Sequence, residues 1–228
     1  MLDRIVEPQK QPRDWFGFSS ALFPILCSDY ISLRLLYHLE PLTTAHTILV
    51  KMVEVSEKSF KLFVAVNSKS KDALTDAKNN YGHNIEKLRR ECAQYNIEFE
   101  SEDIKTFTKS LNDRGGALYQ FLRYGSQEMT QGFDGYLQKI LPVVDKIFFK
   151  TIFLLPENER RLLNFVSPLK NLLMGSQFDQ SQNPELLIRI LKENNDYLDE
   201  YIEYCKLLDK KHLEFLEDLD LVNKEEAS

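Results

Sequence analysis

The stretch "YGHNIEKL", residues 81–88, is where this sequence comes nearest to a reactive group. Four histidines are present, and His83 lies between Gly82 and Asn84. Histidine gives or takes a proton near neutral pH, which suits general acid or base work. On a phosphate substrate it would also need a cation to hold the developing charge, and Arg114 and Arg123 are candidates. The same residues have an architectural reading. Gly82 permits a tight turn, and Asn84 or His83 caps the helix that follows.

A second candidate is Glu57 with Lys61, four residues apart on a long apolar segment. Such a pair is either a helix-surface ion pair, worth a few tenths of a kcal/mol, or a polar pair within the bundle that ties it or lines a site. The remaining chemistry is sparser. His38 and His46 flank Pro41 without a second ligand at metal-binding spacing, so capping or partial burial is expected. His212 falls in an apolar seam and reads as a packed or interface residue. Lys87, Arg89 and Arg90 are flanked by Glu86 and Glu91, which reads as a solvated face rather than a nucleic-acid patch.

Familiar enzyme signatures are missing. There is no GxGxxG, phosphate-binding loop, HExxH or GxSxG, and no ExxH pair for a di-iron bundle. Cys27, Cys92 and Cys205 are isolated, so neither a zinc site nor a disulfide framework is suggested. No metal and no cofactor are expected. A net charge of −6 argues against nonspecific nucleic-acid or membrane binding. Reduced thiols and an N-terminus without an apolar leader point to the cytoplasm. The apolar stretches read as too short to span a bilayer.

The elements that position these residues are helical throughout. Strand-like alternation is nearly absent and helical periodicity is widespread, so the fold class is all-α. Residues 14–27 read as short helical turns broken by Gly17 and Pro24, with Ser28 or Asp29 capping a helix to about Glu40. Residues 42–66 form a helix apolar over most of its circumference, which belongs at the centre of a bundle. A short polar helix over 68–79 follows, then helices over about 84–94, 102–111, 117–124, 135–154 (kinked or restarted near Pro142), 156–173 (with room for a break at Pro168) and from Pro184. The last helix, about 194–221, carries a seam of Leu198, Tyr201, Cys205, Leu208, His212, Phe215, Leu219 and Val222. That spacing lies against one partner helix, in the same chain or another.

In order, "EKSFK" at 57–61, "YGHNIEKL" at 81–88 and "LNDRGGALYQFLRYG" at 111–125 resemble the HEPN superfamily (higher eukaryotes and prokaryotes nucleotide-binding domains). The matching positions are Glu57 and Lys61; Gly82, His83 and Asn84 with Ile85; and Tyr119, Arg123 and Tyr124. The resemblance covers about residues 30–155. It implies an up-and-down helical bundle, often dimeric. Residues 1–28 would be an arm with short turns, 29–155 the bundle, and 156–228 a C-terminal helical extension that packs on it or forms an oligomer interface. Some members of the superfamily are metal-independent ribonucleases with an arginine and a following histidine separated by four to six intervening residues, whereas Arg34 and His38 have only three between them. This chain lacks that pattern: Lys78 stands at such a distance from His83.

The resemblance is therefore closer to the non-nuclease branch, and implies a binding or assembly protein. Its partner would be a nucleotide, RNA, a protein or a second copy, in a bacterial defence or toxin–antitoxin setting. The polar set would be Glu57, Lys61, Gly82, His83, Asn84, Tyr119, Arg123 and Tyr124. The alternatives are a divergent ribonuclease using His83 with Arg123 or Arg114, and a scaffold that needs no ligand.

Overall fold

The computed structural model describes residues 14–39, 45–81, 84–114, 116–124, 134–175 and 183–210. All the regular structure among them is helical. The helices are α1 (Trp15–His38), α2 (Ala45–Ser68), α3 (Ala73–Asp76), α4 (Ile85–Tyr95), α5 (Glu102–Asn112) and α6 (Ala117–Tyr124). Then come α7 (Asp134–Phe153), α8 (Glu157–Phe165), α9 (Pro168–Leu173), α10 (Pro184–Lys192) and α11, residues 198–210. A π-helical turn, Ala77–Tyr81, precedes α4, and a 3-10 turn, Ile97–Glu100, follows it.

Helix α2 is the centre of the bundle, as its sequence requires. It packs against α1, α7, α4 and α6, and its buried side chains include Ile48, Met52, Val55, Phe60, Phe63 and Val66. Ser56 and Ser59 are buried on it too. Their hydroxyls donate to the carbonyls of Met52 and Val55, each at 2.8 Å, so no polar group is stranded. A single hydrophobic core runs from Phe23 on α1 through α2, α4, α5 and α7 to Leu169, Leu191 and Cys205.

Helix α1 corrects the expectation of short turns over 14–27. It is one helix of 24 residues, capped by Asp14, whose carboxylate accepts from the Gly17 N–H at 2.7 Å. Ser28 and Asp29 lie inside it rather than at its start. Phe23, Leu26, Cys27, Tyr30, Leu33 and Arg34 fall on one buried stripe that continues through Pro24. An internal proline costs a helix about 3 kcal/mol, and burial of several large side chains outweighs that. Continuous, α1 is long and apolar enough to cross a membrane by length and composition alone, which the reading of broken turns had missed. Here it packs on α2, α9 and α10.

Three further expectations are corrected. The polar helix over 68–79 is shorter: α2 ends at Lys69, in the left-handed region at φ 49°, and α3 starts only after Asp72, which caps it through the Thr75 N–H. Arg89 is buried rather than solvated. It donates to the Phe99 carbonyl at 3.2 Å and to Glu100 at 2.5 Å, anchoring the 3-10 turn to α4, while Arg90 does stay exposed beside Glu86. The last helix begins at 198 instead of 194, because Asn194 is left-handed and Asn195 turns the chain.

The seam is answered in part. Leu198, Tyr201 and Cys205 are fully buried within the chain, and Leu208 is half-buried. Tyr201 packs on Phe149, and its hydroxyl donates to Asn164 at 2.5 Å and meets Ser167 at 3.1 Å. This half of the seam closes the bundle. His212, Phe215, Leu219 and Val222 lie outside the described residues.

One buried polar cluster joins α1 to α7 and to the end of α10. Asp145 on α7 accepts from the Tyr30 hydroxyl at 2.7 Å and from Arg34 Nη1 at 3.0 Å. Arg34 Nη2 donates to the carbonyls of Leu191 at 3.3 Å and of Glu193 at the end of α10. Asn195 donates to Tyr30 Oη at 2.8 Å. Burial pushes the Asp145 carboxyl up to about 6, against the downward pull of Arg34 and Tyr30. The Arg34→Met variant should lose about 3–5 kcal/mol of stability at neutral pH, measured by urea unfolding, because the Asp145 carboxylate is left buried without its counter-charge. The folded pKa lies above the unfolded one, so this carboxyl contributes stability below about pH 4 that is lost as pH rises through about 6. The gap in stability between wild type and variant should widen as pH rises through and above that interval, because without Arg34 the Asp145 carboxyl is pushed up further.

Candidate functional site

Helices α2, α4, α5 and α6 enclose a groove of about 500 Å³. Each wall has a local cause. Helix α4 begins at Asn84, whose side-chain oxygen accepts from the Lys87 N–H at 2.9 Å. The same oxygen accepts from Asn112 Nδ2 at 3.1 Å, which ties the start of α4 to the end of α5. Helix α6 is held to α2 by His46. Its Nε2–H donates to the Leu122 carbonyl at 3.0 Å, and its ring meets the Phe121 ring edge-on at 5.8 Å. Partial burial is thus the role of His46, as its sequence position suggested.

The floor of the groove is apolar, made of Val50, Val53, Ile85, Leu111 and Leu122. Its polar groups are Glu54, Glu57, Lys58, Asn112, Tyr119 and Arg123. Most of the charges are already balanced. Lys58 and Lys51 both bind Asp29 on α1, and Lys51 also binds Glu54 at 2.8 Å. Burial works to raise the Asp29 carboxyl, but the hydrogen bonds from Lys58 and Lys51 outweigh it and hold it below its usual range. Glu57 accepts from Lys61 at 2.5 Å, with both side chains mostly buried. Arg123 is different. It is exposed, its guanidinium lies 5.9 Å from the centre of the Tyr119 ring, and among the described residues no ion pair engages it.

The fold therefore brings Glu57, Tyr119 and Arg123 to one groove, with Asn84 bonded to its wall. Lys61 reaches it only through Glu57, and lines a separate cavity of about 120 Å³ beside α3 and the π-helical turn. Arg114 is exposed on the loop before α6, where its carbonyl accepts from Gln120 at 2.5 Å, and it is not part of the groove wall. Gly82, His83 and the side chain of Tyr124 lie outside the described residues.

Sequence reasoning missed Asn112 and Asp29, which build the groove, and the whole Asp145 cluster. Asp145 had a visible signal: a lone carboxylate inside "LPVVDKIFF" needs a partner, by the reasoning applied to Glu57. Asn112 had none, because only the packing of α5 on α4 gives it a role. Compared with protein-family models, with curated proteins and with solved structures, the chain matches none.

The Asn84→Ala variant loses the cap of α4 and the link to Asn112. It should lower stability by about 1–2 kcal/mol, read from thermal or urea unfolding. Asn84→Asp, which keeps an acceptor for both donors, should restore most of it.

Proposed function

We propose that this chain is a HEPN-like helical binding protein of the cytoplasm, and that the groove beside α6 takes a nucleotide or a short single-stranded RNA. The observation that carries this is the pairing of Arg123 with Tyr119 at the edge of a groove whose other charges are mutually balanced. An arginine without a carboxylate partner suits a phosphate. A half-exposed tyrosine beside it offers a face on which a base can stack. The apolar floor suits the body of the base, and Glu57 and Asn112 on the walls can take up its exchangeable hydrogens or acceptors.

The buried free thiols of Cys27, Cys92 and Cys205 fit a reducing compartment. Asn84 supports the binding reading over the catalytic one: the residue after His83 has an architectural role as the cap of α4.

The test is a titration of purified protein with mononucleotides and short labelled RNAs. At least one should bind saturably and raise the melting temperature. Tyr119→Ala should cost about 1–3 kcal/mol of that binding, and Arg123→Ala should cost as much and flatten its salt dependence. Failure of every nucleotide and RNA to bind, or wild-type affinity in Arg123→Ala, would overturn the reading. The RNA is also assayed for cleavage beside His83→Ala. Cleavage by the wild type alone would turn the assignment to a ribonuclease.

A further inference from the structure

A second cavity, of about 480 Å³, lies on another side of the bundle. It is bounded by the last turn of α1 at Tyr37 and His38, by Gln138 and Pro142 on α7, and by Glu193 and Asn194 after α10. Its inner wall is Arg34, and its size is that of a small-molecule site.

The electrostatics of this cavity are decided by which charges cancel. Arg34 is cancelled by Asp145, and its second nitrogen is taken up by the carbonyls at the end of α10. Lys192 pairs with Asp199 at 3.0 Å, and Arg189 is exposed in the last turn of α10. What remains on the cavity side is negative. The carboxylate of Glu193 meets only the imidazole of His38, at 3.1 Å between exposed groups. Helix α1 ends here, and the last carbonyls of a helix carry its negative pole. Pro142 adds an acceptor. It sits inside α7 and has no N–H, so the carbonyl of Gln138, four residues earlier, lacks its helical donor. The Glu193 carboxylate is thus the charge left facing a cavity whose one strong internal cation, Arg34, is already neutralised.

We propose that this cavity is a second ligand site, distinct from the groove beside α6, and that it takes a small molecule with a primary ammonium group. The ammonium donates to the Glu193 carboxylate and to the Gln138 carbonyl, displacing the weak contact with His38. An ammonium has three donors and no acceptor, which matches this wall. The methylene chain of such a ligand lies along Leu141, Pro142 and Ile190.

The experiment uses the full chain, calorimetric titration at low salt, and putrescine as the probe, with inorganic phosphate as the anionic counterpart. Putrescine should bind saturably and phosphate should not displace it. Glu193→Gln, an exposed change that leaves the fold intact, should weaken putrescine about tenfold or more, because a charge-assisted hydrogen bond is lost. Pro142→Ala restores a donor to the Gln138 carbonyl and should weaken it severalfold. Arg123→Ala, in the other groove, should leave it unchanged. No saturable binding of putrescine, wild-type affinity in Glu193→Gln, displacement by phosphate, or loss of binding in Arg123→Ala would each overturn the proposal.

Discussion

The carboxylate of Asp145 is the constraint on which the assembly of this bundle depends. It sits almost fully buried on α7 and accepts from two residues of α1, Tyr30 and Arg34. Through Tyr30 it reaches Asn195, and through Arg34 it reaches the end of α10. Three segments far apart in sequence are thereby fixed to one point. Taking two charges out of water is costly, and their attraction repays it only when the remaining hydrogen-bonding capacity is also used. Here it is. The Tyr30 ring lies flat against Phe148 at 4.0 Å and edge-on to Phe149 at 5.5 Å, so the hydroxyl is held in place by aromatic packing. A pair of this kind adds less to stability than an apolar replacement would, but it accepts few alternative arrangements. Slippage of α1 against α7 by one turn would leave a buried charge alone.

That fixed point organises both cavities. Helix α1 is the strut: Arg34 forms the inner wall of the cavity beside α10, and Asp29, earlier on the same helix, holds Lys51 and Lys58 of α2. Because those lysines are tied back to α1, the groove on the other side of α2 has balanced walls, and Arg123 is the cation it offers. Glu57 and Lys61 follow the same rule. They are a mostly buried pair, and their role is to bring a carboxylate to the groove without an unbalanced charge in the core. The sequence presents charge pairs as local events on single helices. In the bundle they decide which surface has charge left over.

Much of the fold was legible in the order of residues. Helical periodicity marked α2, α4, α5 and α7 close to their observed limits, and Asn84 was a recognisable cap. The central position of α2 followed from its apolar circumference, since a helix without a polar face needs neighbours on several sides. What misled was local rule-breaking. Pro24 and Gly17 suggested breaks in a helix that continues through both, because burial of Phe23, Leu26, Cys27 and Tyr30 on one stripe outweighs the proline. Arg89 looked like one of a run of surface cations, yet it is buried against the 3-10 turn. In both cases the deciding contacts come from another element, which no window along the chain contains.

The sequence by itself determined the helical class, the caps, the central helix, and the position of Glu57 on one apolar helix and of Tyr119 and Arg123 on another. These follow from backbone hydrogen bonding and side-chain periodicity, which act within a few residues. Only the tertiary structure decided that Glu57, Tyr119 and Arg123 face one groove, that Lys61 turns to a different cavity, and that Asp145 is the partner of Arg34 across 111 positions of chain. Coulomb attraction and burial depend on distance in space. They select among packings of helices whose local sequences are equally satisfied in many of them, so the residues they join carry no mark of each other in sequence.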